Sequence, residues 1–344
     1  MDRMKIGVLT GGGDCAGLNA VIRAVVKRAE YHGFQVIGIR YGWAGLVNAD
    51  AVPLSYKDVR EILDVGGTIL KTSRTNPLKN PADAEKVLAN TKKLGIDAVI
   101  AIGGEDTLGV AHKLAPKGLK VVGVPKTIDN DLSATDVTFG FDSAVNVAME
   151  MIDRIRTTAA SHDRVVVVEV MGRHSGWIAA EAGLASGADV ILIPEHPFDL
   201  DEVCQKVNKR VAEKGSAVVV VAEGATLKTS PGAISKESKV DEFGHVRLGG
   251  AGDFLADEIE KRTGLETRSV TLGHVVRGGS PSAFDRVLAT RFGIAAVDLV
   301  EEGKFDMMVG LQGTGIVAVE LEKAVAKLKT VDEALFEAVK TFLE

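Results

Sequence analysis

The sequence predicts an α/β chain folded as two doubly wound parallel-sheet, Rossmann-like domains. Three observations carry that prediction. Apolar runs of strand length alternate along the chain with segments of 3.6-residue periodicity. These runs end in glycines and polar residues, at the strand ends where open α/β sheets place their ligands. A length of 344 residues also exceeds what one small core accommodates, so two domains follow.

Ile6 to Thr10 reads as the first strand, and Gly11-Gly12-Gly13-Asp14-Cys15-Ala16-Gly17 follows it. A helix then begins, with Leu18, Val21, Ile22, Val25 and Ala29 on one face. Strand, glycine loop and helix together let backbone N–H groups and a helix N-terminus hold an anion, although simple βα packing has the same pattern. No Gly-Lys-Ser/Thr follows, which excludes a Walker A loop, and Gly11, Gly13 and Gly17 are spaced one residue too wide for a dinucleotide fingerprint. The next strand, Gln35 to Ile39, ends in Arg40, where a dinucleotide site would carry an acid. Gly66-Gly67-Thr68 and Lys71-Thr72-Ser73-Arg74 form a basic, hydroxyl-rich loop. A helix over Asp83 to Leu94 leads to the strand Ala98 to Ile102 and then Gly103-Gly104-Glu105-Asp106-Thr107. Acids opening a helix are favoured by its dipole, and two carboxylates beside an anion loop also suit Mg²⁺.

The strand Leu119 to Val124 stops at Pro125-Lys126-Thr127-Ile128-Asp129-Asn130-Asp131. One lysine, one hydroxyl and two carboxylates crowd a turn where like charges repel; the plain alternative is a solvated loop with an Asx turn at Asn130. Asp142 and Ser143 are expected to cap a helix faced by Val145, Ala148, Met149, Ile152 and Ile155. Arg164 precedes the run Val165 to Val170, interrupted by Glu169, and Met171-Gly172-Arg173-His174-Ser175-Gly176 follows. The pattern continues with Val190 to Ile193, a helix Leu200 to Glu213, and Ala217 to Ala222 ending in Glu223-Gly224. Lys228 to Arg247 is polar and reads as an insertion or flap. A helix over Gly252 to Arg262, then Glu266-Thr267-Arg268, the strand Ser269 to Leu272 and Gly273-His274-Val275-Val276-Arg277-Gly278-Gly279-Ser280 precede a helix from Ala283. Residues from Ala318 onward read as helical, and no solenoid repeat is evident.

Composition limits the function classes. Aromatics at 5 % and 38 glycines suit backbone turns rather than a base-stacking surface. A net charge of −6 argues against binding to nucleic acid or anionic membranes, so any anion chemistry must use local clusters. The basic residues at strand ends supply them: Arg74, Arg164, Arg173, Arg268 and Arg277, with Lys126. Cys15 and Cys204 lack a metal-ligand spacing and read as reduced thiols of a cytosolic protein. The N-terminus has no signal-peptide core and no apolar run reaches membrane-span length, so a soluble cytoplasmic protein is expected. Anion cradles, cationic clamps, candidate Mg²⁺ acids and candidate carboxylate bases together are what phosphoryl transfer to a sugar-phosphate hydroxyl requires.

The segments GGGDCAGLNA, GGEDT, PKTIDND, MGRHSGW, AEGA and GHVVRGGSPSAFDR, in that order from Gly11 to Arg286, resemble the phosphofructokinase family. The resemblance implies that family's fold. Residues 1–140 with roughly 275–325 would bind phosphoryl donor and Mg²⁺, and 141–274 with a C-terminal helix 326–344 would bind the sugar phosphate. Asp129 resembles the general base that takes the proton of the sugar 1-hydroxyl, with Thr127, Ile128 and Asp131 in its loop. Gly12, Gly13, Gly104 and Lys126 are implied at the donor. Glu105 falls where the family has its Mg²⁺-binding acid, usually an aspartate, so the ligand is one methylene longer. Met171, Gly172, Arg173, Glu223, His274, Val275, Val276 and Arg277 are implied at the sugar phosphate. Arg164 and Arg268 match residues that serve a neighbouring subunit's site, which implies a homodimer or homotetramer.

Two positions bear on the donor. ATP-using members typically have glycine after the Mg²⁺ acid and after the proline of the catalytic loop; here Asp106 and Lys126 stand there, the pairing of pyrophosphate-dependent members. A carboxylate at Asp106 would repel an α-phosphate by roughly 4 kcal/mol at about 4 Å and an effective dielectric near 20. That is on the order of a thousandfold in affinity. Lys126 can stabilise charge on the transferring group. The expectation is reversible, Mg²⁺-dependent transfer from pyrophosphate to fructose 6-phosphate. ATP-dependent transfer is the nearest alternative and a non-catalytic sugar-phosphate sensor a more distant one. The NAD and diacylglycerol kinases share a Gly-Gly-acid-x-Thr loop but not the PKTIDND or GHVVRGG segments.

Overall fold

A computed structural model describes residues 3–234, 243–244 and 248–343. The chain divides into two compact units, Met1–Ser143 with Arg277–Leu328, and Ala144–Val276 with Lys329–Glu344. Strand β1 (Lys5–Thr10) leads through the glycine loop into helix α1 (Leu18–Tyr31), then β2 (Gln35–Ile39), α2 (Trp43–Asn48), β3 (Ala51–Leu54) and the single turn α3 (Tyr56–Val59). Helix α4 (Pro81–Lys93) starts where Asn80 accepts the amide of Ala82 and proline occupies the first helical position, an arrangement that needs no N–H there. It is followed by β4 (Ala98–Gly103), α5 (Glu105–Leu114) and β5 (Val121–Pro125).

Helix α6 (Phe141–Ser161) begins before Asp142 and Ser143. Those residues lie in its first turn rather than at its cap, which corrects the sequence expectation. The reason is that both are engaged elsewhere: the backbone N–H and hydroxyl of Ser143 donate to buried Asp285, and Asp142 accepts the hydroxyl of Ser282. In the second unit come β6 (Val165–Val170), α7 (Trp177–Ala185), β7 (Val190–Leu192), α8 (Leu200–Lys214), β8 (Ala217–Ala222), the short strands β9 (Thr226–Leu227) and β10 (Ser230–Ala233), α9 (Ala251–Thr263) and β11 (Thr267–Thr271). Much of the expected insertion Lys228 to Arg247, namely residues 235–242 and 245–247, lies outside the described residues. The acid that interrupts β6, Glu169, is buried and serves a structural purpose, since its carboxylate accepts the amides of Gly250 and Gly252 at the start of α9.

The chain then returns to the first unit with α10 (Ala283–Glu301), β12 (Met307–Gln312), β13 (Gly315–Glu320) and α11 (Leu321–Val325), and ends in the second unit with α12 (Glu333–Leu343). Ala318 to Glu320 therefore complete a strand, which corrects the helical reading from Ala318. The half-buried residues of an edge hairpin mimic the start of a helix there.

The larger sheet has the order β13-β12-β5-β4-β1-β2-β3. Its central strands are parallel, but β3 and β13 pair antiparallel at the two edges, so this sheet is mixed rather than wholly parallel. β4 and β5 are buried along their whole length, which is why they read as unbroken apolar runs. The second unit holds a parallel sheet of order β11-β6-β8-β7, with a core that includes Val167, Leu192, Val219 and Leu255. Among the described residues no helix is long and apolar enough to cross a membrane.

Candidate active site

The order of the larger sheet reverses at β1: its sequence successor β2 lies on one side and β4 on the other. Such a switch point opens a crevice at the carboxyl ends of the strands. Three turns meet there. Gly11 follows β1 and its N–H donates to the Ile102 carbonyl of β4 at 2.9 Å, while Lys126 N–H donates to the Gly103 carbonyl at 3.0 Å. Thr107, in the first turns of α5, fills the space between the glycine turns. A Cβ on Gly11 would meet Thr107 Oγ1 at 2.5 Å and one on Gly103 would meet Thr107 Cβ at 2.3 Å. Glycine is required at both by close approach. The hydroxyl-rich loop forms the next wall: the Ser73 carbonyl accepts the Gly12 N–H at 3.0 Å and Thr72 Oγ1 donates to the Gly12 carbonyl at 2.6 Å.

Lys126 is 4 % exposed, and its Nζ donates to the Gly13 carbonyl at 2.6 Å. Burial pushes its pKa below the ordinary lysine value, nearby Arg277 works the same way, and Asp129 and Asp131 oppose both. Burial also pushes the neighbouring Cys15 thiol up to about 12, so it stays protonated and gives the lysine no counter-charge near neutral pH. Arg277, expected among the sugar-phosphate contacts, belongs to the first unit, and a Cβ on Gly13 would lie 2.9 Å from its Cζ. Its buried Nε finds no hydrogen-bond partner among the described residues. Two cationic groups thus converge on the Gly12–Gly13 backbone.

The loop after Lys126 is held by its own hydroxyls. Thr127 Oγ1 accepts the Asp129 N–H at 3.0 Å, and Thr138 Oγ1 donates to the Thr127 carbonyl at 2.7 Å. Asn130 has a φ of 51° and its side chain accepts the Thr138 N–H at 3.1 Å, so the turn chemistry read from sequence is present within a buried loop. Asp129 is 7 % exposed. Ile128 is buried beside it.

Gly104 precedes α5, with Glu105 exposed and Asp106 half-buried in its first turn. Among the described residues, no three or more His, Cys, Asp or Glu side chains cluster as a metal cage. Mg²⁺ usually takes one or two carboxylates and completes its shell with substrate phosphates and water. The hard oxygens of Glu105 and Asp106 beside an anion cradle fit that pattern.

In the second unit, Met171, Gly172 and Arg173 follow β6, Glu223 follows β8, and His274 follows β11, all at the carboxyl edge of the sheet. Glu223 Oε1 accepts the N–H of Arg173 at 3.0 Å and of Gly172 at 3.3 Å. Arg173 has a φ of 51°, and a Cβ on Gly224 would lie 1.9 Å from the Arg173 carbonyl oxygen, so this turn sits against Gly224. His274 and Val275 are exposed, and Val276 is buried. Arg164 and Arg268 are not with this group. They start β6 and β11, at the amino edge, and share one carboxylate: Glu266 Oε1 lies 2.8 Å from Arg164 Nη2 and 2.6 Å from Arg268 Nη2. The Arg164 hydrogen bond holds the Glu266 carboxyl below its usual range. One strand of Val165–Val170 separates the two edges, about 20 Å at 3.3 Å per residue.

The sequence did not single out Thr107 or Thr138. Thr107 was visible as the last residue of Gly-Gly-Glu-Asp-Thr; Thr138 carried no local signal, since its role comes from a fold-back of the chain.

A doubly wound fold whose glycine turns, helix N-terminus and buried lysine meet at the sheet's switch point forms a crevice suited to a phosphate-bearing ligand. The phosphofructokinase family profile matches residues 5–300, and the chain belongs to that family. A pyrophosphate–fructose 6-phosphate 1-phosphotransferase of Amycolatopsis methanolica is 58 % identical over 98 % of this chain and 99 % of that protein. An ATP-dependent 6-phosphofructokinase 3 of Streptomyces coelicolor is 53 % identical over 97 % of this chain and 98 % of its own length. Among solved structures, the T-state phosphofructokinase of Pichia pastoris superposes with a TM-score of 0.83 at 33 % identity; the match covers 100 % of this chain and 37 % of that one.

Proposed function

We propose that the protein transfers a phosphoryl group reversibly from pyrophosphate to the 1-hydroxyl of fructose 6-phosphate, giving fructose 1,6-bisphosphate and phosphate. The observation that carries the donor is the buried Lys126 with its Nζ on the Gly13 carbonyl, together with Asp106 in the first turn of α5. Relatives named for pyrophosphate match this chain at 54–58 % identity and those named for ATP at 50–53 %, which supports the same donor as these two residues. Lys126 fills space beside the donor loop and brings positive charge to the transferring phosphoryl group. Asp106 excludes the additional phosphate of a nucleotide by repulsion.

In the mechanism, Gly12, Gly13 and Gly104 present backbone to the donor while Lys126 and Arg277 neutralise it. Asp129 accepts the proton of the sugar 1-hydroxyl as the oxygen attacks, and Thr127 fixes the loop that carries it. Met171, Gly172, Arg173, Glu223, His274, Val275 and Val276 hold the sugar phosphate. Glu105 would hold Mg²⁺, which when bound supplies charge neutralisation across the phosphates. The first unit is thereby the donor unit and the second the sugar-phosphate unit.

Arg164 and Arg268 stand an entire strand away from Arg173 and Glu223, which supports their serving the site of a second copy in a homodimer or homotetramer. A cytoplasmic location is supported by the two buried free thiols, Cys15 and Cys204. Purified protein given fructose 6-phosphate, Mg²⁺ and either donor tests the proposal: turnover with ATP and none with pyrophosphate would overturn it.

A further inference from the structure

We infer that Glu195 is a positioning residue for the sugar-phosphate loop, and that the segment Lys327–Val331 carries its hold to the loop of Asp129; the roles of those two loops rest on the function proposed above. Glu195 follows β7, and its Oε1 accepts two backbone N–H groups, those of Gly176 and Val331, each at 3.0 Å. Gly176 is where the Arg173 turn becomes α7. A Cβ there would lie 2.4 Å from Ile193 Cβ and 2.8 Å from Glu195 Oε2, so the junction is closed by backbone approach. The next residue, Trp177, donates its indole N–H to the Lys329 carbonyl at 3.2 Å, and Lys329 Nζ lies 5.3 Å from the ring centroid. Glu195 Oε2 is buried with no hydrogen-bond partner among the described residues, a cost offset by the charge-assisted pair at Oε1.

The same segment is anchored in the first unit just before it leaves. Ser133 Oγ donates to the Lys327 carbonyl at 2.8 Å, and Leu328 bridges Leu132. Leu132 and Ser133 directly follow Asp131 in the loop that carries Asp129. The chain passes from the first unit to the second between Leu328 and Lys329. One short run of covalent chain therefore holds both loops, each within its own unit, and displacement at one end is transmitted to the other.

A double-mutant cycle on the full chain tests this. Glu195→Ala should raise the KM for fructose 6-phosphate about tenfold while the KM for pyrophosphate stays within about twofold, and Glu195→Gln, which keeps an acceptor oxygen, should restore most of the loss. Ser133→Ala should lower kcat/KM in the native chain but add little in the Glu195→Ala chain, since residues sharing no partner otherwise act independently. Effects that multiply, equal losses for both substrates, or no rescue by glutamine would overturn the inference. If Glu195→Ala does not fold, Trp177→Phe, which deletes the indole N–H, takes its place with the same expectations. An unmutated chain inactive with pyrophosphate overturns both proposals; an active chain with multiplicative effects overturns this one alone.

Discussion

Lys126 is the residue on which the donor reading turns, and its environment makes a pH-dependent claim. Its pKa lies below the ordinary lysine value because burial disfavours the ammonium. The native state then releases this proton at lower pH than the unfolded chain, so stability rises with pH between the two pKa values. Activity should do the opposite, because the transferring phosphoryl group needs the charge. The kcat/KM profile for pyrophosphate is expected to fall on an alkaline limb below the ordinary lysine range, and Lys126→Arg should move that limb upward. A limb unmoved by the substitution would assign it to another group. Asp129 makes a different claim. Asp129→Asn should lower kcat by about 10² to 10⁴ with the KM for fructose 6-phosphate little changed. An unaltered kcat would remove it from the base role. The charged turn at Pro125 to Asp131 was legible in sequence because so many chemically costly residues crowd one strand end. Its enclosure was not: burial of Lys126 and Asp129 depends on residues 135–139 folding back over the loop, which no local pattern announces.

Among the elements, the central strands could be read closely because burial on both faces makes them continuous apolar runs ended by glycine. β2, β6 and β8 have the bounds the sequence suggested. The edges could not be read so well. β3 contains Pro53 and pairs antiparallel, and β13 has no fully buried residue, so neither carries the signal of a core strand. Glu169 broke an apolar run for a reason visible only in three dimensions, the capping of α9 from a strand far earlier in the chain, as the 81- and 83-residue separations of its bonds record. Removing it leaves one buried and one part-buried N–H group unanswered, so Glu169→Ala should cost about 2 kcal/mol in urea unfolding. A loss well under about 1 kcal/mol would show that water or a neighbour replaces the carboxylate.

At the scale of the whole molecule, the sequence signalled a doubly wound phosphofructokinase fold and put Arg164 and Arg173 at opposite ends of one strand, while the pairing of β11 with β6 brought Arg268 to the Arg164 edge. That separation predicts complementation. Mixed oligomers of Arg164→Ala and Arg173→Ala chains, each weakly active alone, should regain activity, because one pairing unites an intact Arg173 with an intact Arg164. No recovery would place all these arginines on one chain's own substrate, or none of them there. The donor remains the central claim, and repulsion at Asp106 sets its size. The most direct test is kcat/KM with fructose 6-phosphate and Mg²⁺, measured in parallel for pyrophosphate and ATP, in the native chain and in one carrying Asp106→Gly and Lys126→Gly. The native chain should prefer pyrophosphate by about a thousandfold, and the double variant should lose most of that preference. A native chain that turns over ATP and leaves pyrophosphate untouched would contradict the account.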